Sequence, residues 1–138
     1  MAAIEELRAA LERNPNDTVA LLALANLNFD IQRWPRAEEL YRRYLALQPE
    51  DADARTDLGV VLRAQGRIAE ALREFQAVRE KDPHHWQARF NEVLILAFDQ
   101  GQYEAAEARL KELRALAPAE PAVERLAAEL QTRRAASR

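Results

Sequence analysis

Apolar residues return along this chain at intervals of three and four, and the pattern stops at regularly placed prolines. That periodicity marks amphipathic α-helices. It predicts helices over about 2–13, 17–32, 35–47, 52–65, 68–81, 86–100, 103–116 and 119–134. The last places Val123, Leu126, Ala127 and Leu130 on one face, with Glu124, Arg125, Glu129 and Arg133 elsewhere, so one side is solvated. One stretch has too much apolar surface for a single face. In FNEVLILAFDQG (90–101), Phe90, Val93, Leu94, Ile95, Leu96 and Phe98 are all large and apolar. What that surplus touches decides whether the chain also holds a partner.

The helices come in a repeating register. Pro15, Pro49 and Pro83 stand 34 residues apart, and Pro118 follows at 35. Each closes a helical segment, because proline has no amide hydrogen and clashes with the preceding turn. Ala3, Ala37, Ala71 and Ala106 recur at the same spacing, as do Leu7, Tyr41, Phe75 and Leu110. Ala10, Tyr44, Val78 and Leu113 form a further row, and Leu24 and Leu58 are followed by the small Ala25 and Gly59. Each period holds two helices and a short turn, as in 52–65 and 68–81 around Gly66. Small residues at Gly59 and Ala71 permit close backbone approach, while Leu58, Leu62 and Phe75 fill the layer between helices. One such pair cannot bury its own apolar faces, so successive pairs must stack.

The period, the Leu58–Gly59 pair, the alanine and aromatic rows and the closing proline resemble the tetratricopeptide repeat over nearly the whole chain. The resemblance implies an all-α, right-handed solenoid of antiparallel helix pairs. Its parts would be a half repeat (1–17), three repeats (18–51, 52–85, 86–120) and a capping helix with tail (121–138). Departures from the pattern stand out. The aromatic usual near the start of the first helix is Leu21, then Arg55, then Arg89, and Glu92 occupies the register of Leu24 and Leu58. One extra residue falls before Gly101, near the end of its helix. Asp17 or Thr18, and Asp51 or Asp53, are suitable N-caps.

The same resemblance implies that the first helix of each pair lines a concave groove. Taken 34 residues apart, the lining rows are Leu22, Thr56, Phe90; Asn26, Val60, Leu94; and Phe29, Arg63, Ala97, flanked by Asn91 and Phe98. The groove is mostly apolar, a surface type that marks partner sites. The peptide-tail clamp of one subclass is not expected. Asn26 matches one clamp position, but Leu22, Asp57, Gln87 and Asn91 replace its other members. Val93 and Leu96 are assigned to the layer between helices, and Phe90, Leu94 and Phe98 to the groove, unless the extra residue turns Phe98 inward or the last helix covers it.

Composition narrows the chemistry. Of 138 residues, 49% are hydrophobic and 31% charged, three are glycine, and the net charge is −3. That balance suits a folded helical protein and gives no draw toward nucleic acid or an anionic membrane. No cysteine is present, so no thiolate site or disulfide is expected. The N-terminus carries Glu5 and Glu6 where a signal peptide is basic, and no stretch reaches the roughly 18–20 apolar residues of a membrane span. A cytoplasmic protein, or a soluble domain of a larger one, is expected. Among twenty basic residues only Lys81 and Lys111 are lysines, a bias that points to a bacterial source.

Candidate reactive groups are few. His84 and His85 are adjacent in the turn after Pro83, without further donors at metal-ligand spacing. Ser137 is the lone serine, and no glycine-rich phosphate loop occurs. No catalysis, metal or cofactor is expected. Glu92 needs a partner if buried. Arg89 is within reach on the same face, and the alternatives are a structural pair or a polar key for a ligand. Trp86 is expected under its turn, and Trp34 partly exposed before Pro35. Arg125, Arg133, Arg134 and Arg138 read either as a basic tail or as cations favouring a helix C-terminus. The expected function is an adaptor holding a partner peptide or helix in the groove. Because the array begins with a second-type helix and ends with a first-type one, head-to-tail self-association through the end helices is the alternative.

Overall fold

Three first-type helices open on one device. Asp17 Oδ1 accepts from the Ala20 amide at 3.0 Å, and Asp51 Oδ1 accepts from the Ala54 amide at 3.0 Å. His85 Nδ1 does the same for Ala88 at 3.3 Å. Each satisfies a donor that the first turn of a helix leaves without a partner. The positions are spaced by the period of the sequence, so His85 is an N-cap and not merely part of a solvated loop. The ring must present an unprotonated Nδ1 to accept this bond.

The structure is a computed structural model and describes residues 2–137. Its α-helices are α1 (Ala2–Arg13), α2 (Thr18–Asp30), α3 (Trp34–Leu47), α4 (Ala52–Ala64), α5 (Ile68–Lys81), α6 (Trp86–Leu94), α7 (Tyr103–Leu116) and α8 (Pro121–Ala136). No strand occurs among the described residues. The expected helix over 86–100 is α6 followed by a π-helical turn, Ile95–Asp99. Here the Gln100 amide donates to the Ile95 carbonyl, five residues back, at 3.0 Å. A π turn houses one additional residue without ending the helix, which accounts for the 35-residue spacing. It also corrects the third lining row. Ala97 is 1% exposed, and Phe98 takes the register of Phe29 and Arg63.

The turn within each pair uses a left-handed residue. Gly66 (φ 77°) and Gly101 (φ 63°) hold two of these positions, and Gln32 (φ 60°) holds the third. The Arg33 amide then reaches the Asn28 carbonyl at 2.9 Å, and the Arg67 amide the Leu62 carbonyl at 3.0 Å. This closes the helix end as a Schellman motif.

The chain divides into two units, Met1–Glu74 and Phe75–Arg138. In the first, α1 packs on α2, α2 on α3 and α3 on α4. Its buried side chains include Leu21, Leu24, Leu40, Tyr41, Leu58 and Leu62, the rows read from the sequence. Glu38 fixes this unit further. It accepts from Arg67 at 2.6 Å, Arg42 at 2.9 Å and Gln65 at 3.1 Å. Burial alone would raise its pKa, but these bonds outweigh burial and hold it below the usual glutamate value. Asp51 has a second role beside its cap. Its Oδ2 accepts the Tyr44 hydroxyl at 2.5 Å, and this bond, with burial, pushes the phenol up to about 12.

In the second unit, α6 with its π turn packs on α7, and α7 packs on α8. Val93, Ala97, Ala106, Leu110, Leu113, Val123, Leu126 and Leu130 form the core. The two arginines in the aromatic register repeat one function. Arg55 donates to the Pro49 carbonyl at 3.0 Å and Arg89 to the Pro83 carbonyl at 3.3 Å. Arg55 also meets Glu74 at 3.0 Å, and Arg89 meets Glu112 at 3.5 Å. The guanidinium fork joins the preceding turn to an acid on the following helix.

Candidate functional site

In the first unit the surface of interest is a stripe along α2. Val19, Leu22, Asn26 and Phe29 follow helical spacing and share one side of it. Val19 is 78% exposed, the most open large apolar side chain among the described residues. Leu22 and Phe29 are half-buried, and Asn26 is exposed. Val19 escaped the sequence reading, although it lies three residues before Leu22 and belongs to the same face. Phe29 packs edge-on against Trp34 with ring centres 5.6 Å apart, so α3 braces it from behind.

Asn26 is held in a defined orientation. Tyr41, 1% exposed, donates its hydroxyl to Asn26 Oδ1 at 2.6 Å. The bond takes one lone pair of the amide oxygen and fixes which way the side-chain amide faces. Burial, then the charges of Asp57 and Asp30, raise the Tyr41 phenol above its ordinary value. Both carboxylates therefore act at this point of the surface.

The α4 residues divide. Val60 is half-buried, and Arg63 is half-buried with an interaction partner of its own. Thr56 does not belong to an open surface. It is 5% exposed and donates its hydroxyl to the Ala52 carbonyl at 2.8 Å. A short polar side chain sinks at a level where leucine and phenylalanine reach outward, and its own helix satisfies it.

In the second unit Phe90, Leu94 and Phe98 are half-buried, and all three lean on the core. Trp86 meets Phe90 edge-on at 6.0 Å. Phe98 is covered in part by α8, where the Arg133 guanidinium stands 5.1 Å from its ring centre. Leu96, assigned to the interior, is only half-buried. Asn91 turns its Nδ2 back to the Gln87 carbonyl at 2.8 Å, so one of its donors serves its own helix.

Glu92 is 4% exposed, as its register requires, but Arg89 is not its hydrogen-bonding partner. Arg79 of α5 donates to Glu92 Oε2 at 3.0 Å, and Oε1 has no hydrogen bond. Burial raises the Glu92 pKa, and the charges of Arg79, Arg109 and Arg89 offset this only in part. No group of three or more His, Cys, Asp or Glu able to hold a metal ion exists among the described residues. None of their helices is long and apolar enough to cross a membrane.

Comparison with known proteins settles the family. One tetratricopeptide repeat model matches residues 1–52 and 22–85, and a second matches 62–130. The chain belongs to the tetratricopeptide repeat family. It is 28% identical over 111 residues to Superkiller protein 3 of Schizosaccharomyces pombe, covering 80% of this chain and 8% of that protein's length. A solved structure of MamA superposes with a TM-score of 0.82 at 17% identity, over 96% of this chain and 72% of that one. The tetratricopeptide repeat domain of Arabidopsis OM64 gives 0.73 at 13% identity, over 83% and 94%. PcrH of Pseudomonas aeruginosa gives 0.70 at 25% identity, over 84% and 87%. The all-α solenoid of antiparallel helix pairs expected from the sequence is thus the fold of this tetratricopeptide repeat chain.

Proposed function

We propose that this tetratricopeptide repeat protein is an adaptor that holds a peptide or helix of a partner protein against its first-type helices. The observation that carries the reading is the α2 stripe, where Val19 stands 78% exposed beside half-buried Leu22 and Phe29. In the second unit, half-buried Phe90 and Leu94 give α6 apolar chemistry of its own. Each large side chain fully covered by a partner contributes roughly 1.5–3 kcal/mol. Two or three such contacts, less the cost of ordering the partner, suit an affinity on the order of micromolar. Membership in a family of protein-interaction scaffolds supports the reading. The test is partner capture by the wild type beside Phe29→Ala and Phe90→Asp, with circular dichroism on each. Loss of capture with helicity kept supports it, and equal capture by both variants removes it.

A second reading, self-association, rests on a cleft in the second unit. A cleft of about 670 Å³ between α7 and α8 is lined by Leu110, Ala127, Ala128 and Leu130 among charged neighbours. A second-type helix packs on a first-type helix within each pair, so α1 of another copy is of the type that would pack here. Light scattering over a concentration series, with and without α1, tests it. A monomer at every concentration excludes it.

A further inference from the structure

The sequence is acidic overall, with a net charge of −3, yet one cleft of the first unit gathers arginines. It measures about 360 Å³, lies between the second-type helices α1 and α3, and is lined by Arg8, Leu11, Glu12, Pro15, Arg36 and Arg43. Arg43 donates through Nη2 to the Pro15 carbonyl at 3.3 Å, which ties its guanidinium to the turn after α1. A carbonyl carries no net charge, so the cation stays uncompensated and the rest of its N–H fork is open to an acceptor. Arg8 is exposed, and among the described residues no acid is ion-paired with Arg8 or Arg43. Arg36 is bound to Glu39 at 2.8 Å, and because that pair is exposed it holds Arg36 only weakly. Glu12 is the one carboxylate of the lining.

We propose that this cleft is a docking point for an acidic segment of a partner protein. One carboxylate of the segment takes the Arg43 fork and a second takes Arg8, in charge-assisted bonds that suit the planar guanidinium. Charge complementarity selects this occupant. Three arginines against one glutamate attract an acidic segment, and a basic one meets like charge. The negative charge of the whole chain disfavours a long polyanion such as nucleic acid, whereas a short segment contacts only the local cations. The cleft shares no residue with the α2 stripe, so this proposal stands apart from the adaptor reading of that stripe.

A random short-peptide display library selected on the wild-type protein, and counter-selected on Arg8→Gln/Arg43→Gln, tests this. Individual peptides are then measured by fluorescence anisotropy against wild type, the double variant, Glu12→Gln and Phe29→Ala, with circular dichroism on each protein. The expected binders are rich in aspartate and glutamate. They lose on the order of tenfold in affinity on the double variant, gain a few-fold on Glu12→Gln, weaken as salt screens the charges, and ignore Phe29→Ala. If the double variant loses helicity, Arg8→Gln alone carries the test, since Arg8 is exposed and a smaller loss is still expected from it. Enrichment of basic or neutral peptides overturns the proposal, and so does equal affinity for wild type and the arginine variants. Acidic peptides that fail on Phe29→Ala and ignore the arginine variants sustain the adaptor reading and overturn this one. Tighter binding of a single-stranded oligonucleotide than of any acidic peptide overturns the choice of a protein segment, and recovery of no binder down to millimolar affinity overturns the site.

Discussion

Arg79 and Glu92 are joined across 3.0 Å, and Glu92 stands where its repeat equivalents, Leu24 and Leu58, are plain core leucines. The pair links α5 to α6 inside the second unit, and Glu92 is 4% exposed. One Glu92 oxygen keeps no hydrogen bond. Burying a carboxylate this way costs more than a leucine of similar volume at the same place. Glu92→Leu should therefore leave the protein as stable or raise stability by about 1–4 kcal/mol. Arg79→Ala should lower it, by less than the roughly 3–5 kcal/mol of a fully sealed pair, since Arg79 keeps some exposure and Glu92 can take up a proton. Urea titrations of both variants check this, and a large loss in Glu92→Leu would contradict it.

The same residue sets a pH trend. Burial raises the Glu92 pKa in the folded state above its ordinary 4.5. The native state then binds more protons between the two values, so this site's stability is full below the unfolded value and falls as pH rises through the folded one. Glu38 has the opposite sign. Its bonds to Arg42, Gln65 and Arg67 overcome burial and lower it, so its contribution is full above the unfolded value and falls on acidification. The stability of Glu92→Gln relative to wild type should improve from pH 4 toward pH 7. Glu38→Gln should be weakest near neutrality and converge on wild type in acid. Thermal melts across that range measure both slopes.

His85 caps α6 with a ring nitrogen where Asp17 and Asp51 use carboxylates. A carboxylate binds the amide more strongly and also favours the positive end of the helix dipole. His85→Ala should lose about 0.5–2 kcal/mol, and His85→Asp should equal or exceed the wild type. Melting temperatures of the two variants decide it.

Gln32 adopts φ 60°, the conformation that Gly66 and Gly101 hold in the equivalent turns. A Cβ in that region costs about 1–2 kcal/mol, partly offset by the greater chain entropy of glycine. Gln32→Gly should raise stability by about 0.5–1 kcal/mol, read as a shift in the urea midpoint without a change in slope.

Much of the architecture was legible because it repeats. The proline spacing, the rows through Tyr41 and Phe75, and the 34-residue interval placed all eight helices. The extra residue before Gly101 was visible as a count, but only backbone hydrogen bonding showed that a π turn absorbs it and hands Phe98 the register assigned to Ala97. The candidate surface was less legible. Leu22, Asn26 and Phe29 followed from register, yet Val19 was passed over and Thr56 was assigned outward. Periodicity names the side of a helix that a residue occupies, whereas exposure depends on how far each side chain extends beyond its neighbours.

The sequence by itself determined that eight helical segments repeat, which rows supply most of the core, and the family to which the chain belongs. These follow from local hydrogen bonding and from a periodic apolar pattern that each repeat restates. Only the tertiary structure decided that Arg79 and not Arg89 hydrogen-bonds Glu92, that Tyr41 orients Asn26, and that Arg133 covers Phe98. Those contacts join residues far apart in the chain, and short-range pattern holds no information about which long side chain reaches which partner.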